Sequence, residues 1–309
     1  MRTYRYLHYD VFTDIAFEGN QLAVFPEPAG LTSEEMQTIT REMNFSESTF
    51  VFPPEGAGTD VRMRIFTPAE ELPMAGHPVI GTTFALVREG VIAARRESFV
   101  FGLGVGPTPV SLTWTGPMLD FAWMTQKNPE FGGRLADRAG FAAALGVDPG
   151  DLVDAPPQVV SCGLPYLVAA LKTRRAVDAV ALDVRAYNTV CRAAGLGDVP
   201  LFVFTTEARR EPETRPTTEV EAVYSRMLAP GFGIAEDPAT GSASGPLACY
   251  LHEYRLVDRA RLSHAISLQG VQMLRPSRIH VSLDTSGDTI TRVRVGGRSV
   301  LVGEGKLTF

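Results

Sequence analysis

The chain has 309 residues, 45% apolar and 21% charged, with a formal net charge of −6. That length and apolar content suffice for two hydrophobic cores, and the acidic balance without a basic run excludes a nucleic-acid surface. The N-terminus lacks an apolar leader and no stretch reaches the length of a membrane span, so the sequence reads as cytoplasmic, with no membrane partner.

In chain order, Tyr6–Phe12 alternates in the manner of a strand, and Gly19-Asn20 leads into a second strand, Leu22–Phe25. Thr32-Ser33-Glu34-Glu35 supplies a cap and first-turn acids for a helix whose stripe is Met36, Ile39 and Met43, ending near Asn44. Ser46-Glu47-Ser48 then joins that helix to a strand, Thr49–Phe52. A glutamate there is either a solvated loop residue or a buried acid whose pKa rises toward the range useful for proton transfer. Val61–Phe66 is a strand, and His77-Pro78 opens a helix that runs through Val87 and stops at Glu89-Gly90. His77, at a helix N-terminus, leans toward the neutral imidazole. Strands over 97–103 and 109–114 are joined by Gly104-Val105-Gly106-Pro107, which fails as a dinucleotide fingerprint because no helix follows. The stretch 115–129 reads as the crossing between two domains, 1–118 and 119–309.

The second domain begins with a helix over 137–145, broken by Gly146 and Pro149. Strands follow at 159–161, 166–170 and 201–204, with a helix over 180–194 between them. The polar segment 207–218 reads as a surface loop. Ala235-Glu236-Asp237-Pro238-Ala239-Thr240-Gly241-Ser242 then passes into the apolar spacing Leu247, Cys249, Tyr250, Leu251 of a buried helix. Ser267–Met273, Arg275-Pro276-Ser277 and the alternating Ile279–Leu283 follow, and strands over 289–295 and 299–302 close the chain, the last being left open to return to the first domain.

The two domains share a pattern. Arg64-Ile65-Phe66-Thr67-Pro68, Glu70-Glu71 and Ala75-Gly76-His77-Pro78 parallel Arg226-Met227-Leu228-Ala229-Pro230, Glu236 and Thr240-Gly241-Ser242. Each reads as a strand, a turn, an acidic loop and a helix opened by glycine. A fainter match sets Gly19–Val24 beside Gly163–Val168. A helix start presents free N–H groups and a positive dipole end, which together form an anion site, and a glycine there lets a ligand come close. The duplication therefore points to two helix tips facing one cleft. The plainer alternative is two ordinary capped core helices.

These segments resemble the PhzF family of phenazine-biosynthesis isomerases and their relatives. The matching residues are Asp10-Val11-Phe12, Gly19-Asn20, Ser46–Val51, Arg64–Pro68, Ala75–Pro78, Ala229-Pro230, Glu236–Ala243, and Gly270 with Arg275-Pro276-Ser277. The resemblance implies an α+β fold of the diaminopimelate-epimerase type. Its two pseudo-symmetric domains are each a curved, mostly antiparallel sheet around a central helix. It also implies a homodimer, no cofactor, and a small carboxylate substrate akin to dihydro-hydroxyanthranilate. Glu47 would move a proton between two carbons, with His77, Asp237 and Ser242 holding and polarising the substrate. Asn20, Gly76, Thr240 and Gly241 would complete the binding site.

Thiol-dependent racemases of the same fold carry a cysteine just before each helix glycine, where this chain has Ala75 and Thr240. Two-base thiol chemistry is therefore unsupported. Gln21, Met74 and Leu274 also depart from common family choices. The lysines, Lys127, Lys172 and Lys306, lie away from the repeats, which argues against a Schiff base. Cys162, Cys191 and Cys249 lack CxxC spacing, and the histidines lack HxxxH or HExxH spacing for a metal. A Ser/His/Asp hydrolase from Ser242, His77 and Asp237 puts Ala243 at the nucleophile position of a G-x-S-x-G elbow. A non-catalytic small-carboxylate binder of the same fold is the remaining alternative, against which Glu47 speaks.

Overall fold

The computed structural model describes residues 1–207 and 223–309, so the segment expected as a surface loop lies, from residue 208 on, outside the described residues. The first half begins with an antiparallel pair, β1 (Thr3–Val11) and β2 (Asn20–Phe25). Helix α1 (Ser33–Met43) is closed in front by a reciprocal cap between Thr32 and Glu35 and behind by Asn44 in the left-handed region. Next come β3 (Glu47–Phe52), parallel to β2, then β4 (Val61–Phe66), antiparallel to β3, and the short β5 (Glu71–Leu72), folded back on β4. After α2 (Gly76–Arg88) come β6 (Ser98–Leu103), β7 (Gly106–Thr115) and β8 (Met118–Gln126).

The second half contains β9 (Glu130–Arg134), α3 (Arg138–Leu145), β10 (Gln158–Ser161), β11 (Pro165–Ala170), α4 (Arg174–Ala179), α5 (Val184–Ala193), β12 (Leu201–Thr205) and β13 (Val223–Ala229). It continues with β14 (Ile234–Asp237), α6 (Gly241–Glu253), α7 (Arg259–Leu262), β15 (Ala265–Gln269), β16 (Ser277–Ser286), β17 (Thr289–Gly297) and β18 (Ser299–Thr308). The helix expected over 180–194 is α5, which starts four residues later, and α4 before it was not expected. Val180 leaves the helical region, and Asp183 starts the second helix by accepting from the Arg185 and Ala186 N–H groups.

Hydrogen-bonded neighbours run β18-β1-β2-β3-β4-β6-β7-β8 through the first half and β9-β10-β11-β12-β13-β15-β16-β17 through the second. The two runs meet where β8 pairs with β17. The stretch read as a crossing is therefore itself a strand at the seam. The pairs β2–β3, β4–β6, β11–β12 and β13–β15 are parallel and the rest antiparallel. Each run curls around one helix: α2 packs against β1, β2, β3, β8 and β18, and α6 against β10, β11, β16 and β17. Buried residues cover the whole circumference of both helices, as a helix enclosed by sheet requires. Among the described residues, no helix is long and apolar enough to cross a membrane.

The halves agree in register. Leu72 pairs with Ile65 as Asp237 pairs with Met227. An arginine one residue before each of those β-strand partners binds the acid one residue before Leu72 or Asp237: Arg64 holds Glu71 at 2.7 and 2.5 Å, and Arg226 holds Glu236 at 2.9 and 2.8 Å. The repeated Arg–Glu pair, seven residues apart in the first half and ten in the second, thus records one flap, β5 or β14, clamped in each half.

Candidate active site

Two helix tips meet where the halves join. A Cβ on Gly76 would lie 2.6 Å from the Gly241 Cα and from the Ser242 nitrogen, so only glycine lets the two backbones touch. Thr32, Asp137, Thr173 and Asp183 cap α1, α3, α4 and α5 with their side chains. The starts of α2 and α6, at Ala75 and Thr240, have no side-chain cap. Their leading N–H groups are thus left for another acceptor. The carbonyl of Gly241 is tied to the seam by Gln126 Nε2 at 3.0 Å.

Beside the tips lies a cavity of about 260 Å³, small even for a small-molecule site and sized for a single ring. Glu47, Tyr166, Asp237 and Ser242 face it among apolar walls of Leu72, Leu164, Pro200, Met227 and Ile234. Ala75 and Thr240 line it from the two helix starts, and among the described residues no lysine or arginine does. An anion placed here relies on backbone N–H groups and neutral hydroxyls. A larger groove of about 600 Å³ near Arg62 and Arg64 lies apart from these groups, and both arginines are already paired there, with Glu55 and Glu71.

Glu47 is the first residue of β3, opposite Leu22 of β2, and is 8% exposed. The alternative of a solvated loop glutamate is therefore wrong: the neighbouring serines suggest a loop, but the helix tips cover the position. Its Oε2 makes no hydrogen bond, and the His77 Nδ1 at 3.4 Å is a contact without hydrogen-bond geometry. Burial, with Asp237 as a like charge nearby, pushes the Glu47 carboxyl well above its ordinary value. His77, also buried, is held near pKa 3 by desolvation, against a smaller opposing pull from the Gln21 backbone, so it is neutral at ordinary pH. Its Nε2 is a second buried atom without a partner.

Asp237 is instead saturated. It accepts from Asn20 at 2.7 Å, Ser46 at 3.0 Å and Thr240 at 2.5 Å. Desolvation raises it to about 6 in spite of those bonds. Asn20 also reaches Ala239 O at 3.0 Å and His77 Nδ1 at 3.2 Å, so one amide joins both halves. Asn20 is placed by Gly19, where a φ of 69° and the 2.3 Å that a Cβ would have to Val11 O admit only glycine. Arg275 fastens that turn across the halves, donating to Gly19 O at 2.7 Å and to the buried Asp10 at 2.5 Å.

The structure thus brings together all eight residues singled out from sequence: Asn20, Glu47, Gly76, His77, Asp237, Thr240, Gly241 and Ser242. It does not assemble a hydrolase triad. Ser242 bonds Tyr166, and among the described hydrogen bonds none links it to His77. Three partners escaped the sequence: Ser46, Gln269, whose amide spans Asp237 O and Thr240, and Tyr166. For Tyr166 a signal existed in the faint match of Gly163–Val168 to Gly19–Val24, which brings both segments to the cleft.

The family model described as phenazine biosynthesis-like protein, PhzC-PhzF, matches residues 9–305. A trans-2,3-dihydro-3-hydroxyanthranilate isomerase of Pseudomonas aeruginosa is 33% identical over 303 residues, covering 98% of this chain and 99% of that protein. A Bacillus anthracis phenazine biosynthesis protein of the PhzF family superposes with a TM-score of 0.84 at 24% identity, over 100% of both chains. A structure titled as a predicted epimerase from Pseudomonas aeruginosa superposes with a TM-score of 0.79 at 32% identity, over 99% of both. The fold is thus the epimerase-like one that the resemblance implied. With end-to-end coverage at that identity, the chain belongs to the phenazine biosynthesis-like, PhzC-PhzF family and is an isomerase of that type.

Proposed function

We propose that the protein moves a proton between two carbons of a small cyclic carboxylate, with the Glu47 carboxyl as the acid–base group and no cofactor. The substrate class is that of trans-2,3-dihydro-3-hydroxyanthranilate, named for the relative above. The observation that carries the reading is Glu47 Oε2, a buried carboxyl oxygen with no hydrogen-bond partner on the wall of a ring-sized cavity. Structural carboxylates find partners when buried, and one that does not is available to a ligand proton.

Ionised Glu47 takes the proton from a carbon next to the conjugated system. The electron pair spreads toward the carboxylate, and the protonated Glu47 returns the hydrogen to a second carbon. The uncapped tips at Gly76 and Gly241 offset the negative charge during that interval, with Thr240 and Ser242 beside the ring and Asn20 fixing Asp237 and His77 behind them. Neutral His77 polarises the substrate without adding a fixed charge. Saturated Asp237 contributes position, and its charge keeps the Glu47 proton affinity high. A general base supplies about 10² to 10⁴ in rate, so the helix tips supply much of the remainder.

The test is incubation of the protein with trans-2,3-dihydro-3-hydroxyanthranilate in D₂O, followed by mass spectrometry. Isomerised, carbon-deuterated product from the wild type but not from Glu47→Gln supports the reading. Binding without isomerisation or exchange makes the protein a carboxylate binder and sinks it.

A further inference from the structure

Ser242 is the second residue of α6, and its hydroxyl meets the phenol of Tyr166 at 2.7 Å. Both groups are buried on the cavity wall, and each hydroxyl has the other as its hydrogen-bond partner. Two hydroxyls carry two hydrogens, and their contact uses one. The other hydrogen is available to a ligand. Chemistry decides which hydroxyl keeps it: a phenol is the stronger donor and an aliphatic alcohol oxygen the better acceptor, so Tyr166 donates to Ser242 Oγ. Burial, reinforced by the nearby Glu47 and Asp237 charges, holds the phenol protonated throughout the working range, against a smaller opposing effect of the Ser242 bond.

We propose that Tyr166 is a positioning residue for the substrate carboxylate. By donating to Ser242 Oγ it turns the serine O–H toward an anion held at the α6 tip. A hydroxyl that accepts one hydrogen bond becomes a stronger donor in the next, so the pair acts as a short relay from β11 to the ligand. The first half has no equivalent, because the faint repeat sets Leu22 at the place of Tyr166 and His77 stands at the place of Ser242. The relay also suits a cavity wall whose described residues include no lysine or arginine, where every hydroxyl hydrogen aimed at an anion counts. This inference rests on the proposed carboxylate at the helix tips and does not depend on Glu47 as the base.

A double-mutant cycle tests it, with calorimetric affinity for anthranilate as the readout and its neutral amide, anthranilamide, as control. Tyr166→Phe keeps the packed ring and removes only the hydroxyl. Its affinity for anthranilate should fall about tenfold, with little change for anthranilamide. Ser242→Ala should show a similar loss, and adding Tyr166→Phe to it should cost less than about twofold more, because a residue that acts through Ser242 has nothing left to act on. A purely structural tyrosine would lower both affinities, and its effect would multiply with that of Ser242→Ala. Either result overturns the relay, as does a wild type that fails to bind anthranilate. Failure of Glu47→Gln to abolish exchange would sink the proposed base and leave this cycle intact.

Discussion

The two halves share a frame and fill its equivalent places with different side chains. Counting back from the helix glycines, Leu72 stands where Asp237 stands, Ala75 where Thr240 stands, and Gly76 where Gly241 stands. In the parallel strand pairs Leu22 faces Glu47, and continuing the Leu167–Leu201 register by one residue sets Tyr166 beside Pro200. The place of Glu47 is thus taken by Pro200 in the second half, and that of Asn20 by Leu164. Duplication accounts for two helix tips that touch, which a single half cannot supply. Divergence then leaves one unpaired carboxyl on the cavity wall, where two-base racemisation needs a base on each side of the carbon. A single base suits removal and return of a proton on one face.

The largest expected effect breaks this asymmetry directly. Glu47→Gln should lower kcat/KM by about 10² to 10⁴, whereas Pro200→Ala, at the equivalent place, should change it by less than about tenfold. Equal losses in steady-state kinetics would mean that the halves share the chemistry after all. The next effect concerns the touching tips. Gly76→Ala forces a methyl against the Gly241 and Ser242 backbone at 2.6 Å, whereas Gly241→Ala meets the ring of Phe12 at 2.9 Å and the Gly76 Cα at a less severe 3.1 Å. The first clash needs a helix start to move by far more than the second. Gly76→Ala should therefore cost about 1 to 3 kcal/mol in chemical denaturation and about 10² in kcat/KM, with Gly241→Ala distinctly milder.

These features differ in how far sequence exposes them. Helix α1 is legible to the residue, because Thr32, Glu35 and Asn44 make local contacts whose chemistry depends on spacing alone. The duplicated tips are legible because close approach demands glycine at both. The burial of Glu47 is not, since what covers it arrives from α2 and α6, far along the chain. Tyr166 reads as an ordinary strand tyrosine, and only the partner 76 positions away gives its hydroxyl a task. The start of α5 is hidden because Leu182, Ala186 and Val190 carry the apolar spacing back past its cap, whereas Asp183 begins the helix only at Val184.

The flap clamps permit a comparison by stability. Arg226 is 11% exposed at its side chain, binds a Glu236 that is 18% exposed, and donates to the carbonyls of Val177 and Val180 at 3.0 and 2.9 Å. Arg64 binds a Glu71 that is 41% exposed and a Ser33 hydroxyl. Removing Arg226 strands a partly buried carboxylate and two carbonyls, so Arg226→Ala should cost about 2 to 3 kcal/mol in urea unfolding. Arg64→Ala, at a solvent-screened pair, should cost about 1 kcal/mol or less. The reverse order would show that the clamp on β5 carries more of the fold than the one on β14.

The finest test reads the unpaired carboxyl through stability alone. Burial and the Asp237 charge raise the Glu47 pKa in the folded chain above its unfolded value near 4.5, so the folded state binds its proton more tightly. Linkage then fixes the sign: the native state is favoured at low pH and loses that contribution as pH climbs through the unfolded value toward the folded one. Asp237, raised to about 6, acts in the same direction between its unfolded 3.8 and that value, while His77, lowered to about 3, opposes both below 6.5. The wild-type profile is thus a sum of opposed slopes, and only a difference isolates Glu47. Urea unfolding of Glu47→Gln and wild type at pH 4.5, 6 and 8 should give a variant whose stability relative to wild type grows with pH, because the amide has no proton to lose. Pro200→Ala should give a difference that stays flat over the same range. A Glu47→Gln difference as flat as that of Pro200→Ala would mean that Glu47 ionises as it does in water, and the division of chemistry between the halves would fall with it.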